Sequence, residues 1–182
     1  MRWLIARLLF LPTLAWNLSL GRFLRVRDWW NQVEEGVWIG ALPLARDASQ
    51  LHGLGVRGVV NTCEEYPGPE TVYRELGMTQ LRVPTIDFTA PNLEDVQQAV
   101  DFINEYRSRG EGVYVHCKAG RGRSATVVLC WLVQAQKLSP EAAQQRLLEV
   151  RPHVVPTVFQ RPVVQQFWKL QSGSEQRPES DR

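Results

Sequence analysis

The spacing of apolar residues changes several times along this chain of 182 residues. Short apolar runs bounded by turn residues predict β-strands. The predicted strands are Val37–Ala41, Val56–Asn61, Gln80–Ile86 and Gly112–His116. Helical patterns follow the later runs, so strands and helices alternate.

Longer segments in which apolar residues recur every three or four positions predict helices. Asn92 begins one helix, which Gly110 ends, and Ser139 followed by Pro140 is a strong N-terminal signal for another. The segment after Arg123 is almost entirely apolar, which predicts a central helix packed against the sheet. The predicted helices cover residues 92–109, 123–136, 139–150 and 160–170.

Strands that alternate with helices predict an α/β fold, in which a mostly parallel central sheet is flanked by helices. The chain is long enough for one domain of ordinary size, and it contains no internal repeat. We expect this single domain to cover residues 28–172 and the polar residues 173–182 to be disordered. Anions bind such folds at the carboxyl ends of the strands, so a functional site is expected there.

The last predicted strand leads into the run His-Cys-Lys-Ala-Gly-Arg-Gly-Arg-Ser at residues 116–124. If residues 118–123 curl around a phosphate, their backbone N–H groups converge on its oxygens, and the next helix adds its positive end. Gly120 and Gly122 are expected to supply positive φ angles and a close approach of the backbone. The predicted phosphate-binding residues are Lys118, Ala119, Gly120, Arg121, Gly122 and Arg123.

Cys117 lies at the start of this loop and faces its positive field, so we expect a depressed pKa and a thiolate at neutral pH. Arg123 can clamp two phosphate oxygens with its planar fork. The spacing therefore suits the binding of a tetrahedral oxyanion against a thiolate. The alternative is a buried structural cysteine before a glycine turn.

Two further features concern the substrate. Lys118 and Arg121 add positive charge beyond what the chemistry needs, which favours a substrate with a second phosphate or one in an anionic surface. Alternatively, one or both side chains point to solvent. Glu64, Glu65 and Tyr66 follow a predicted strand, and they either line the site and orient the substrate or are solvated loop residues.

Residues 1–27 contain five arginines and no acidic residue, with tryptophan and phenylalanine residues between them. Such aromatic residues are typical of a membrane–water boundary, whereas the apolar stretch Leu8–Leu20 is short for a membrane span. We therefore predict a membrane-associating or targeting segment that contacts an anionic membrane surface. The alternative is an N-terminal helix packed on the domain.

The charge and the cysteine content exclude other classes. A net charge of +2 is too balanced for a nucleic-acid-binding protein, so no nucleic-acid partner is expected. Cys63, Cys117 and Cys130 lack metal-ligand spacing, and Cys130, in an apolar run, is predicted to lie in the core. A catalytic thiol implies a reducing compartment.

The motif His-Cys-(five residues)-Arg-Ser at 116–124 resembles the signature of the cysteine-dependent protein tyrosine and dual-specificity phosphatases. The resemblance implies that Cys117 attacks phosphorus and forms a phosphocysteine, while Arg123 binds the transferring phosphoryl group. It also implies that Ser124 donates a hydrogen bond to the leaving thiolate and that His116 holds the loop and the thiolate in place. The family's general acid is an aspartate on an upstream loop, and Asp87, at the end of a predicted strand, is our candidate. Alternatively, Asp87 is a turn or cap residue.

Further motifs narrow the resemblance to the mitochondrial protein-tyrosine-phosphatase-like phosphatidylglycerophosphate phosphatases. They are Gly-Ala-Leu-Pro at 40–43, Asn-Thr-Cys-Glu-Glu-Tyr at 61–66, Tyr-Val-His-Cys-Lys-Ala-Gly-Arg at 114–121 and Leu-Pro-Thr-Leu at 11–14. Gly122 stands where animal members commonly have serine, and residues 88–91 are more similar to plant or bacterial relatives.

This resemblance implies a phosphomonoesterase that converts phosphatidylglycerophosphate to phosphatidylglycerol, a precursor of cardiolipin. It implies no metal or organic cofactor, because the loop and its arginine supply the electrostatics. The expected location is the mitochondrial inner membrane in a eukaryote, or the cytoplasmic face of the membrane in a bacterium. The alternatives are a dual-specificity protein phosphatase, a phosphoinositide phosphatase and a non-enzymatic phosphate-binding adaptor, although an adaptor needs only the loop.

Overall fold

The computed structural model of the protein describes residues 12–16, 19 and 27–175. Its strands are β1 Trp30–Glu34, β2 Val37–Gly40, β3 Val56–Cys63, β4 Thr79–Thr85 and β5 Gly112–His116. They form a five-stranded sheet in the order β1-β2-β5-β3-β4, in which β1 is antiparallel to β2 and all other neighbours are parallel. The predicted α/β class with a mostly parallel central sheet is confirmed.

The helices connect the parallel strands and continue after the last strand. They are α1 Ala45–Gly53, α2 Glu70–Glu75, α3 Leu93–Ser108, α4 Arg123–Ala135, α5 Pro140–Val150 and α6 Pro162–Glu175, with a 3-10 turn at Val158–Gln160. The Asn92 side chain accepts a hydrogen bond from Asp95 N, and the Ser139 side chain accepts one from Ala142 N. Both residues therefore cap the helices that they were predicted to begin.

Each face of the sheet carries its own hydrophobic cluster. The larger cluster contains Val113 and Val115 of β5 together with the apolar sides of α3, α4, α5 and α6, and the smaller one contains Tyr114 with residues of α1 and α2. Side chains of a strand alternate between the two faces, so His116 lies on the same face as Tyr114. Most side chains of α4 are buried, which confirms its predicted central position and the core location of Cys130.

Three elements, β1, α1 and α2, were not predicted from the sequence. Only Val33 in β1 is buried, so this strand lacks an apolar alternation and is stabilised by its pairing with β2. In α1 most residues are polar, and Asp47 supports the first turn by accepting a hydrogen bond from Leu44 N at 2.9 Å. α6 extends to Glu175 and so enters the segment 173–182, for which disorder stays a prediction. Residues 176–182 lie outside the described residues.

Most of the N-terminal segment predicted at residues 1–27 also lies outside the described residues. Residues 12–16 are helical, and Thr13 and Trp16 line the cavity that is described below. In the described part of the chain, no helix has both the length and the apolar character that are needed to cross a bilayer.

Candidate active site

The loop between β5 and α4 is shaped by one glycine in the left-handed region. Gly120 has φ +67°, and a Cβ atom at this position would lie 2.6 Å from the carbonyl oxygen of Gly40. Any side chain there would therefore collide with the backbone of β2. Gly122 has φ −125°, so the positive φ predicted for it is wrong. Its carbonyl accepts the hydrogen bond from Thr126 N that begins α4, so Gly122 is the N-cap residue of this helix.

Cys117 lies at the bottom of this loop and is buried. Its Sγ accepts hydrogen bonds from Gly120 N at 3.2 Å and from Ser124 Oγ at 3.3 Å. Burial raises the pKa of Cys117, but the charge of Arg123 and the hydrogen bonds from Ser124 and Arg121 outweigh it and lower the pKa to about 7. A substantial fraction of the protein therefore carries a thiolate at neutral pH, which makes a purely structural cysteine the poorer interpretation.

Arg123 lies under the loop in a largely anionic surrounding. Its Nη1 donates to Glu65 Oε2 at 2.8 Å and to the carbonyl oxygen of Thr85 at 2.7 Å, and its Nη2 lies 3.0 Å from Asp87 Oδ1. Burial opposes the charge of Arg123, but the neighbouring thiols and carboxylates raise its pKa above the usual value. The guanidinium therefore stays charged and is held in one orientation.

Asp87 follows β4, and its side chain reaches the Arg123 guanidinium under the loop, as its predicted role as general acid requires. Its carboxylate forms ion pairs with Arg123 and with Lys118, whose Nζ also donates to Thr13 Oγ1 at 2.8 Å. Lys118 is only 5% exposed, so its side chain does not point to solvent. Asp87, Lys118 and Cys117 line one cavity, and the assignment of Asp87 as the acid stays a prediction.

Arg121 differs from Lys118. Its side chain is exposed, and its Nε donates to the carbonyl oxygen of His153 at 2.7 Å. The Arg121 carbonyl accepts a hydrogen bond from Val155 N at 2.9 Å, which attaches the segment after α5 to the loop. Arg121 also lines the cavity, so the cation predicted there is present, although its Nε is used by the protein itself.

His116 supports the loop from the other side of the sheet. Its ring stacks on Tyr114 with 5.7 Å between the ring centroids, and its carbonyl oxygen accepts a hydrogen bond from Thr62 Oγ1 at 2.9 Å. Burial lowers the pKa of His116 to about 3, so the imidazole is neutral and is not a general base near pH 7. A contact of the ring with the Cys117 backbone acts in the opposite direction and raises this pKa, so the ring positions the loop through that contact and through packing.

Glu64, Glu65 and Tyr66 do not line the cavity, so the structure does not support the prediction that they touch and orient the substrate. Glu65 binds Arg123, and its Oε1 accepts a hydrogen bond from Asp87 N at 3.2 Å. Tyr66 donates its hydroxyl to the carbonyl oxygen of Pro43 at 2.6 Å. Glu65 is therefore a positioning residue for Arg123 and for the loop of Asp87.

The cavity above Cys117 has a volume of about 360 Å³. Besides the loop and Asp87, several lining residues were not predicted from the sequence, namely Thr13, Trp16, Phe88, Thr89, Val155 and Arg161. Two of them, Trp16 and Phe88, are 64% and 71% exposed. The mouth of the cavity is therefore bordered by two large apolar side chains that point towards solvent.

Arg151 is a further unpredicted residue of the site. Its side chain is buried, and its Nε and Nη2 donate to the carbonyl oxygens of Gly120 and Ala119 at 2.9 Å and 3.1 Å. These bonds turn the loop carbonyls outward, which leaves its N–H groups free to face an anion. In the sequence Arg151 is only a basic residue at the end of a helix, so no local signal marks it.

A thiolate-forming cysteine under a backbone loop, with a fixed arginine, a hydroxyl donor and a nearby carboxylic acid, defines a cysteine-dependent phosphatase. Residues 37–167 match the family described as the dual specificity phosphatase catalytic domain. The chain belongs to this family, which confirms the resemblance of residues 116–124 and the expected class of enzyme.

The relatives narrow this class further. The chain is 41% identical over 169 residues to phosphatidylglycerophosphate phosphatase PTPMT2 of Arabidopsis thaliana, which covers 91% of the chain and 74% of that protein. It is 40% identical over 174 residues to human phosphatidylglycerophosphatase and protein-tyrosine phosphatase 1, and this match covers 91% of the chain and 87% of the human protein. The crystal structure of PTPMT1 in complex with PI(5)P is 34% identical, covers 81% of this chain and 99% of that one, and has a TM-score of 0.75. The narrower resemblance is therefore also confirmed.

Proposed function

We propose that this protein hydrolyses phosphatidylglycerophosphate to phosphatidylglycerol and inorganic phosphate. The observation that carries the proposal is the cavity in which Cys117, Arg123 and Asp87 meet, in a chain about 40% identical to two relatives that are named for this reaction. Lys118 and Arg121 add positive charge to the cavity, which favours a lipid headgroup that carries two phosphates.

The geometry is compatible with a two-step displacement. In the first step the Cys117 thiolate attacks phosphorus, and the bond from phosphorus to the glycerol oxygen breaks. Asp87 gives its proton to that oxygen, while the loop N–H groups and Arg123 bind the phosphoryl oxygens. In the substrate-free state the Asp87 carboxylate is ion-paired with Arg123 and Lys118. The incoming phosphate takes its place on these cations, and the released carboxylate binds a proton from solvent, which it then gives to the glycerol oxygen.

In the second step water attacks the phosphocysteine. Asp87, now a carboxylate, accepts a proton from that water, and the sulfur–phosphorus bond breaks. Ser124 Oγ already lies 3.3 Å from Sγ and donates the hydrogen bond that stabilises the departing thiolate. The products are inorganic phosphate and the regenerated thiolate, and no step requires a metal or an organic cofactor.

The membrane is the second part of the proposal. The five arginines of residues 1–27 bind an anionic membrane surface, each contributing about 1 kcal/mol. Trp16 and Phe88 then meet the lipid at the mouth of the cavity. We propose the mitochondrial inner membrane as its location in a eukaryote, and the cytoplasmic face of the membrane in a bacterium. Replacing all five arginines by glutamine should weaken binding to anionic vesicles, whereas replacing them by lysine should not.

One observation favours a second candidate substrate. The PTPMT1 structure with a TM-score of 0.75 was solved in complex with PI(5)P, so a phosphoinositide is the alternative lipid. Both lipids carry a phosphomonoester and a phosphodiester, so the positive charge of the cavity suits either headgroup.

Phosphate release from a panel of substrates at matched concentration tests the proposal. The panel contains phosphatidylglycerophosphate, PI(5)P, a tyrosine phosphopeptide and an aryl phosphate, with Cys117→Ser as the background. We expect the highest kcat/KM for phosphatidylglycerophosphate. A higher value for PI(5)P or for the phosphopeptide would reject phosphatidylglycerophosphate as the preferred substrate and leave the cysteine mechanism intact.

A further inference from the structure

Arg161 stands at the catalytic cavity without having a role in the mechanism above. It precedes α6, far from the loop in sequence, yet it lines the cavity together with Arg121 and Gly122. Its Nη1 donates to the Gly122 carbonyl oxygen at 3.2 Å and to Thr126 Oγ1 at 2.6 Å. Arg161 is therefore fixed against the end of the phosphate-binding loop.

Arg161 forms no ion pair with a carboxylate in the described part of the chain. Burial lowers the pKa of Arg161, while the nearby Cys117 raises it, so the guanidinium is both partly desolvated and close to the nucleophile. Lys118 and Arg123, by contrast, are paired with Asp87 and Glu65. A partly buried cation without a carboxylate partner is stabilised when a ligand supplies further negative charge.

The donors that remain on Arg161 are suited to such a ligand. Nη1 is used by the protein, whereas Nε and Nη2 have no acceptor among residues 27–175 that the structure describes. Arg121 presents a similar arrangement, because its Nε binds His153 while its two Nη groups remain. Two forked guanidinium groups that share one cavity wall with the loop residue Gly122 form a geometry that binds a phosphate or a phosphodiester.

We propose that Arg161 and Arg121 form a second anion subsite, which binds a phosphodiester next to the phosphomonoester that Cys117 attacks. The substrate class is a molecule in which a short polyol separates the two phosphates. This inference rests on the proposed lipid phosphatase function and adds to it the residues that distinguish a two-phosphate headgroup from a single phosphate. A lipid with one phosphomonoester, such as phosphatidic acid, leaves this subsite empty.

Substrate discrimination by Arg161→Gln is the first test. Glutamine keeps an amide donor for Gly122 O and Thr126 but removes the charge. The ratio of KM for phosphatidylglycerophosphate to KM for phosphatidic acid should rise about tenfold, the effect of losing a hydrogen bond to a charged group. Arg74→Gln, an exposed site on α2 outside the cavity, is the matched control for net charge at the lipid surface, and it should leave this ratio unchanged.

A binding measurement separates the subsite from the proposed function. In the Cys117→Ser background, Arg161→Gln should weaken the binding of glycerol 1,3-bisphosphate by about tenfold and that of glycerol 1-phosphate much less. Equal weakening of both ligands would mean that Arg161 only supports the loop, and unchanged bisphosphate binding would mean that it binds no anion; either result overturns the subsite. If the parent enzyme fails to hydrolyse phosphatidylglycerophosphate while Arg161→Gln still discriminates these two ligands, the proposed function falls and the subsite stands.

Discussion

Replacing Glu65 tests how strongly its ion pair with Arg123 fixes the orientation of the guanidinium. Glu65 Oε2 accepts a hydrogen bond from Arg123 Nη1 at 2.8 Å, and Glu65 Oε1 accepts one from Asp87 N at 3.2 Å. Both side chains of the ion pair are buried, at 7% and 3% exposure. Glu65→Gln removes the charge without changing the volume of the side chain, so it tests the pair without creating a cavity.

The contacts that Arg123 keeps in Glu65→Gln determine how much stability and activity the variant loses. Removing one partner of a buried ion pair costs about 3–5 kcal/mol when the other charge is left alone. Arg123 still lies 3.0 Å from Asp87 and still donates to Thr85 O, and glutamine keeps one acceptor oxygen. We therefore expect a loss of about 1–3 kcal/mol in the free energy of unfolding. A displaced guanidinium should also lower kcat/KM by about 10–100-fold.

Urea denaturation measures the loss in the free energy of unfolding, and steady-state kinetics on two substrates measure the loss in kcat/KM. The adjacent Glu64→Gln is the matched control, since Glu64 makes its one recorded hydrogen bond through its backbone N–H, to the Thr85 carbonyl oxygen. The loss of kcat/KM should be similar for an aryl phosphate and for phosphatidylglycerophosphate, because Arg123 binds the phosphoryl group of both. If Glu65→Gln altered only the preference among lipids, Glu65 would contact the headgroup and its positioning role would be refuted.

Two further predictions concern the reacting groups. Because the pKa of Cys117 is about 7 and the thiolate is the active form, kcat/KM should be low at acidic pH and should rise through about pH 7. Ser124→Ala removes a hydrogen bond that lowers this pKa, so it should move the midpoint of the profile to higher pH. An unmoved midpoint would show that Ser124 does not stabilise the thiolate. Asp87→Ala should slow the hydrolysis of an alkyl phosphate by about 10²–10⁴-fold and that of an aryl phosphate much less, because a phenolate leaves without a proton. Equal losses on both substrates would assign the acid role to another group.

The catalytic loop was predictable because its parts are close in sequence. Cys117, Gly120 and Arg123 lie within one turn between a strand and a helix, so their spacing alone fixes which atoms converge. Asp87 was also predictable, because the end of β4 lies at the same edge of the sheet as the end of β5. Gly122 was predicted wrongly because a glycine before a helix adopts either a positive φ or the negative φ that it has here as the N-cap of α4.

Residues that reach the site from distant segments had no local signal. Arg151 follows α5, and Arg161 lies between the 3-10 turn and α6. Their roles arise from contacts with the carbonyl oxygens of Gly120 and Gly122. The same holds for β1, whose polar sequence is compatible with a loop until its pairing with β2 is seen. Long-range hydrogen bonds decide these cases, and a pattern read along a single segment does not contain them.

The two extra cations of the loop have different roles, which a count of charges in the sequence does not reveal. Lys118 and Arg121 were grouped as extra positive charge for the substrate, yet Lys118 binds Asp87 and Thr13, whereas Arg121 shares a cavity wall with Arg161. Lys118 thereby connects the candidate acid to the N-terminal segment. The helical turn at residues 12–16 lines the cavity, which is compatible with the membrane-binding role proposed for residues 1–27. If that segment binds the membrane, it also borders the path by which a lipid headgroup reaches Cys117.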